Sequence, residues 1–352
     1  MCTRTPADWI AASSFGDERS VRILRLAVGI MLAAAISLGI GWPLSYMAPV
    51  FVTSLLASKT PCPSLATGAM LVCVITAAGV VGLVVVAPLA IYYPLVCAVA
   101  LGLFLFLIFR AGYRGTSPFV ILFLLVAVLL IPMIAQQSLT AARDVTGGLI
   151  ASGTAAVALT WIAYTLFPDS AWTAIVPKAG VPPDAHGLER RAAVTAVVVY
   201  PVALLFYSFG LTSDLVVLIF IAILAQQPSL TAGRKAGGAL ILGNLAGGLA
   251  AMVFYELLVA VPTFGFFLAL IFLTALMLGT RIFSDHRFAQ VYPTVLSTLL
   301  LLVGGSVAPF GDEVEVQFQL RIFQIGVAVV YVVGSLGLIE RLRTEVARVE
   351  LS

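Results

Sequence analysis

The chain reads as long apolar runs separated by short polar punctuation. Twelve runs stand out, at roughly 22–41, 46–58, 64–87, 89–109, 117–136, 145–167, 191–209, 215–227, 236–260, 263–280, 290–308 and 320–339. Most approach the roughly 20 residues that a helix needs to cross a bilayer. They are apolar on every side, without the period-two alternation of a membrane β-barrel strand. Lipid offers no partner to an unpaired backbone group, so each run is expected as a helix. The predicted fold class is all-α: a polytopic membrane protein of about twelve spans. The second and eighth runs are short and end in Pro-Ser-Leu (Pro63-Ser64-Leu65 and Pro228-Ser229-Leu230) with a glycine downstream. The stretches 59–68 and 226–235 are therefore predicted as helix breaks, since proline cannot continue a helix and Ser or Thr can satisfy the freed backbone groups.

The pattern repeats. Arg22 and Arg25 before the first run match Arg190 and Arg191 before the seventh. Pro63-Ser64-Leu65-Ala66-Thr67-Gly68 matches Pro228-Ser229-Leu230-Thr231-Ala232-Gly233, and Arg110 after the fourth run matches Arg281 after the tenth. Two tandem six-helix repeats, 22–167 and 191–339, are predicted, related by a pseudo-twofold axis along the membrane normal. They are flanked by an N-terminal segment 1–21, a Pro/Gly-rich linker 168–190 and a charged tail 340–352. A second echo joins Gln136-Gln137-Ser138-Leu139-Thr140-Ala141-Ala142-Arg143 with Gln226-Gln227-Pro228-Ser229-Leu230-Thr231-Ala232-Gly233-Arg234 and hints at smaller inverted units within each half.

Composition changes the picture mainly by exclusion. Of 352 residues, 61% are apolar and 10% charged, against about 45–50% and about 25% in soluble domains. With a mean hydropathy of +1.12, a soluble enzyme, a nucleic-acid binder and a disordered chain are excluded. Charge then sets an orientation. With the N-terminus in the cytoplasm and strict alternation, 17 of the 19 basic residues fall inside, as the positive-inside rule requires. Both termini become cytoplasmic, and the expected location is a bacterial inner membrane. Residues 1–20 have no apolar core, so no cleavable signal is expected. Cys2, Cys62, Cys73 and Cys97 form no disulfide pattern, and no phosphate loop or metal-ligand spacing occurs. No cofactor, no metal and no enzymatic activity are expected.

The two basic residues left outside, Arg143 and Arg321, open the sixth and twelfth runs at matching places. A pair of guanidinium groups about the pseudo-axis attracts an organic anion; an ion pair between Arg143 and Asp144 is the alternative. The expected substrate path comprises Lys59, Ser64, Thr67, Gln136, Gln137, Arg143, Gln226, Gln227, Ser229, Thr231, Arg234 and Arg321. The amide pairs are included because an amide both donates and accepts; capping of helix ends is the competing role. Ionisable groups at membrane depth are costly and therefore functional candidates. Asp144, Asp214 and Glu256 are the carboxylates available for proton coupling. Glycines at 147, 148, 153, 237, 238, 243, 247 and 248 fit close helix packing.

Two six-helix repeats, the Ser-Leu-Thr-Ala-x-Arg hairpins (Ser138–Arg143 and Ser229–Arg234) and the basic helix ends resemble the fusaric acid resistance and aromatic acid exporter superfamily. The chain looks like its short, two-repeat bacterial members, without the large soluble domain that others carry. That resemblance implies inner-membrane efflux of aromatic or other weak organic acids, with a periplasmic adaptor of the membrane-fusion type as partner and homo-oligomers possible. Two other functions compete with it: a passive organic-anion channel, and a non-transporting membrane scaffold. An enzyme acting on lipid or polyprenyl substrates would need an Asp, His or Arg cluster at one membrane face, and none stands out.

Overall fold

A computed structural model describes residues 18–58, 63–168, 185–210, 215–226, 230–286, 288–307 and a few between 327 and 335. Among these residues eleven helices follow one another: α1 (Glu18–Ile40), α2 (Met47–Leu56), α3 (Leu65–Tyr92), α4 (Pro94–Tyr113), α5 (Pro118–Gln137), α6 (Leu139–Leu166), α7 (Ala185–Phe209), α8 (Leu215–Ala225), α9 (Leu230–Ala260), α10 (Phe264–Ile282) and α11 (Tyr292–Val307). Each falls on one of the first eleven predicted runs. The twelfth, 320–339, lies mostly outside the described residues. Among those residues there is no strand.

Among the described residues, eight helices (α1, α3, α4, α5, α6, α7, α9 and α10) are long and apolar enough to cross a bilayer. The chain is a multi-pass helical membrane protein. Helix α4 shows why water is not its solvent. It buries Cys97, Leu101, Leu105, Ile108 and Phe109, yet Leu95, Val99, Leu103 and Leu107 on other faces stand exposed. A soluble helix keeps polar residues there; here only lipid suits the exposed surface.

The chain forms two compact units, and each draws on both halves of the sequence. The first comprises residues 1–72, 151–179 and 246–315; the second comprises 73–150, 180–245 and 316–352. In the first unit α1 packs along α2 and α10, and α2 along α11. Leu26, Ile30, Val52, Leu296 and Leu299 are almost wholly buried there. A β-carbon on Gly247 of α9 would stand 2.7 Å from the Val295 carbonyl oxygen of α11, so that crossing requires glycine. In the second unit α7 lies along α4, and α8 packs on α7 and α5. Its core gathers Leu105, Phe109, Leu125, Leu129, Val199, Leu218 and Ile221.

Several boundaries differ from the sequence expectation, for local reasons. The third helix does not end near Pro88. Residues Gly82–Val86 widen into a π-helical turn, with the Ala87 N–H donating to the Gly82 carbonyl. The proline follows two residues beyond the turn. The wide turn relieves the clash between the proline ring and the carbonyl four residues back, so the helix runs on to Tyr92 and breaks only at Tyr93-Pro94. The fifth helix repeats the device. Val126–Leu130 form a π turn closed by Ile131 N–H to the Val126 carbonyl, and Pro132 follows. The two π turns pack together in the second unit, where a β-carbon on Gly82 would lie 2.6 Å from the Ala127 carbonyl oxygen. The predicted breaks at 59–68 and 226–235 are also narrower than expected, because 65–68 and 230–235 are helical. The sixth helix starts at Leu139, so Arg143 and Asp144 lie inside it rather than ahead of it.

Candidate functional site

The repeated Ser-Leu motif is first of all a helix start. Ser64 Oγ accepts from the Thr67 N–H at 3.2 Å and meets Thr67 Oγ1 at 2.8 Å. Ser138 Oγ accepts from the Ala141 N–H at 3.2 Å at the start of α6. Both serines thus cap one of the four N–H groups that a helix leaves unpaired at its N-terminus. Ser64 and Thr67 are exposed. Beneath them, the Trp161 indole N–H donates to the Pro63 carbonyl at 3.0 Å. Gly68 presses on the same ring, where no β-carbon fits.

The amides also act on helix ends. Gln137 donates from Nε2 to the Gly210 carbonyl at 3.1 Å. Gly210 has a positive φ of 61° and terminates α7, as left-handed glycine commonly does. Gln226 donates to the Ala222 carbonyl at 3.0 Å, and its own carbonyl accepts from the Tyr113 hydroxyl at 3.1 Å. Gln136, Arg143 and Asp144 are exposed in the second unit, and Glu256 is exposed on α9 in the first. Thr231 and Arg234 lie in the first turns of α9, with side chains outside the described residues. Lys59, Asp214, Gln227, Ser229 and Arg321 lie outside them altogether. The described candidates therefore divide between the units: Ser64, Thr67 and Glu256 in one, Gln136, Gln137, Arg143, Asp144 and Gln226 in the other.

Sequence reasoning passed over two arginine environments. In the first unit Arg25, only 4% exposed, lays its guanidinium over the Tyr164 ring with 4.0 Å to the centroid. Its place seven residues into α1 looked like ordinary positive-inside charge. In the second unit Arg110, in the last turn of α4, reaches Glu189 near the start of α7 at 3.3 Å. One turn further, the Tyr113 hydroxyl meets Thr195 Oγ1 at 2.9 Å. Thr195 lies within reach of the Ala225 carbonyl at 3.3 Å. The ends of α4, α7 and α8 are thus tied by Arg110, Glu189, Tyr113, Thr195 and Gln226. The available signal was the Arg110–Tyr113 spacing, which puts a cation and a phenol on one helix face.

A tyrosine hydroxyl repairs a helix break in the same unit. Tyr207 donates to the Ala90 carbonyl at 2.8 Å. That carbonyl would ordinarily accept from residue 94, which is a proline without an N–H. Tyr331 donates to the Val198 carbonyl at 2.8 Å, beside the turn loosened by Pro201.

Chemically, these groups are guanidinium, amide and hydroxyl donors, which suit an oxyanion. Among the described residues no group of three or more His, Cys, Asp or Glu side chains is gathered to hold a metal ion. Residues 22–163 match a family described as "Protein of unknown function (DUF2955)". The matched stretch covers nearly all of the first predicted repeat and less than half of the chain. No curated protein and no solved structure matches.

Proposed function

We propose that this protein is an inner-membrane secondary transporter that exports aromatic or other weak organic acids, built as two six-helix repeats with both termini cytoplasmic. The observation that carries the reading is the pair of short helices α2 and α8. Among the described residues they span 10 and 11 residues, about 15 Å and about 16 Å at 1.5 Å per residue, against a hydrocarbon core of about 30 Å. Short or interrupted segments at corresponding places of two repeats mark the substrate site of many transporters. The make-up of the units supports the duplication. The first holds α1 and α2 with α10 and α11, and the second holds α7 and α8 with α4 and α5. Each is the other's counterpart under a shift of six helices. The family match, over 22–163, is about as long as one proposed repeat.

On this reading Arg143 and Arg321 draw the anion, and Asp144, Asp214 or Glu256 carry the proton. A periplasmic adaptor of the membrane-fusion type completes export. The test is the double variant Arg143→Ala/Arg321→Ala in cells challenged with benzoate. Resistance is lost at unchanged protein level if the reading holds, and retained resistance overturns it.

One observation favours a passive anion channel instead. The buried polar residues among those described are arginine, serine, threonine and asparagine, with no carboxylate. Benzoate flux into proteoliposomes separates the two. An imposed pH gradient drives accumulation above equilibrium only in a coupled transporter.

A further inference from the structure

Arg110 is held in a pairing that leaves its own best donor edge half empty. A guanidinium offers Nε–H and one Nη as two parallel donors, spaced to match both oxygens of a carboxylate. Here Glu189 touches Nη2 with one oxygen at 3.3 Å, longer than the roughly 2.7–2.9 Å of a good charge-assisted bond. The Nε of the same edge is fully buried and meets no acceptor, a rare and costly condition for a charged donor. Glu189 is fixed to the start of α7. By contrast, the Arg22–Glu18 pair within α1 closes to 2.7 Å. The Arg110 side chain is 30% exposed and that of Glu189 is 49% exposed, so an incoming ion approaches from the Glu189 side.

The end of α4 that carries Arg110 is tied to its neighbours. Tyr113, one turn along α4, is fastened to Thr195 and to the Gln226 carbonyl. The Arg191 charge reaches Tyr113 and adds positive potential. Gly112 leaves open the side next to Gln226 Oε1, where a β-carbon would stand 3.4 Å from that oxygen.

The geometry points to Arg110 as the carboxylate-recognition residue at this end of the second unit, with Glu189 as an internal competitor that an untethered organic carboxylate displaces. The inference rests on the proposed transport of organic anions and names where such an anion is first held. The displaced Glu189 turns outward to water, and the bound carboxylate spans Nε and Nη2. Loading then breaks the ionic tie between α4 and α7.

The probe is benzoate, titrated calorimetrically into the full-length protein in phosphatidylcholine nanodiscs. Glu189→Gln removes the competitor and tightens binding about tenfold; Arg110→Lys keeps the charge but loses the two-pronged edge and weakens it about tenfold. Arg110→Gln/Glu189→Gln, which leaves no unpaired charge and guards against misfolding, abolishes binding at an unchanged melting temperature. Equal affinity in wild type, Glu189→Gln and Arg110→Lys, or no benzoate binding by wild type and Glu189→Gln alike, overturns the inference. So does loss of benzoate binding when phosphatidylglycerol is added, which assigns the edge to a lipid phosphate. Flux measured in parallel separates the two readings. Benzoate transport indifferent to Arg110 sinks this inference alone, and Arg110-dependent binding without any flux sinks the transport reading alone.

Discussion

Tyr207 and Tyr200 make the same bond to carbonyls in opposite circumstances, so replacing each with Phe isolates the worth of a repaired helix break. Both sit on α7 and donate to a neighbouring backbone carbonyl, Tyr207 to Ala90 at 2.8 Å and Tyr200 to Ala98 at 3.0 Å. The Ala98 carbonyl also has an ordinary partner, the Gly102 N–H inside α4. The Ala90 carbonyl has none, because residue 94 is proline. Phe keeps the ring and its packing in both cases, so only the hydroxyl is tested. Hydrogen bonds between membrane helices average about 0.6 kcal/mol and reach about 1.7, since the unfolded chain in the membrane also finds partners. Tyr200→Phe belongs near the average, at about 0.5 kcal/mol. Tyr207→Phe strands a buried acceptor and belongs near the maximum, at about 1.5 kcal/mol, roughly a tenfold shift in the unfolding equilibrium. The Cys97 thiol beside Tyr207 is a weak donor and offsets little of this. Reversible unfolding in mixed micelles, titrated with denaturing detergent, measures both variants against wild type. If Tyr200→Phe costs as much as Tyr207→Phe, the proline-orphaned carbonyl is not what Tyr207 serves, and the argument fails.

Two further variants probe the helix starts and the crossing of the π turns. Ser138→Ala removes the cap of α6 and costs about 1 kcal/mol, whereas Ser138→Asp, which keeps a capping oxygen, restores most of it; the same unfolding titration reads both. Gly82→Ala forces a methyl to within 2.6 Å of the Ala127 carbonyl oxygen, a backbone contact that cannot turn aside. It costs about 1–3 kcal/mol, while Gly147→Ala, with nothing within 4 Å of the added carbon, is neutral or better.

The helices themselves were legible because lipid imposes the same requirement on every spanning segment, and eleven of the apolar runs are the described helices. Their ends were less legible. Pro88 reads as a helix stop in any local rule, but the π turn ahead of it absorbs the ring, and only the packing of Gly82 on Ala127 makes that turn worthwhile. The candidate site was legible as residue types and not as partners. Gln137 and Gln226 were named for their amides, and the structure gives those amides neighbouring backbone carbonyls. Arg110 and Glu189 lie 79 positions apart in the sequence, and nothing local connects them. Tyr207 and Ala90 are likewise joined only by tertiary packing, which periodicity does not encode.

The sharing of each compact unit between the two halves has a consequence for synthesis. Helix α1 settles against α10, whose first residue emerges 224 residues after Ile40. At about 5–20 residues per second, the opening helix waits some ten to forty-five seconds for its neighbour. During that interval Arg25 lacks the Tyr164 ring of α6, and Ile23 lacks Gly279 of α10. A ribosome stalled between α6 and α7 leaves neither unit complete. Assembly is therefore a late event for this protein, and the membrane-insertion machinery must keep the early helices unaggregated until the chain is nearly finished.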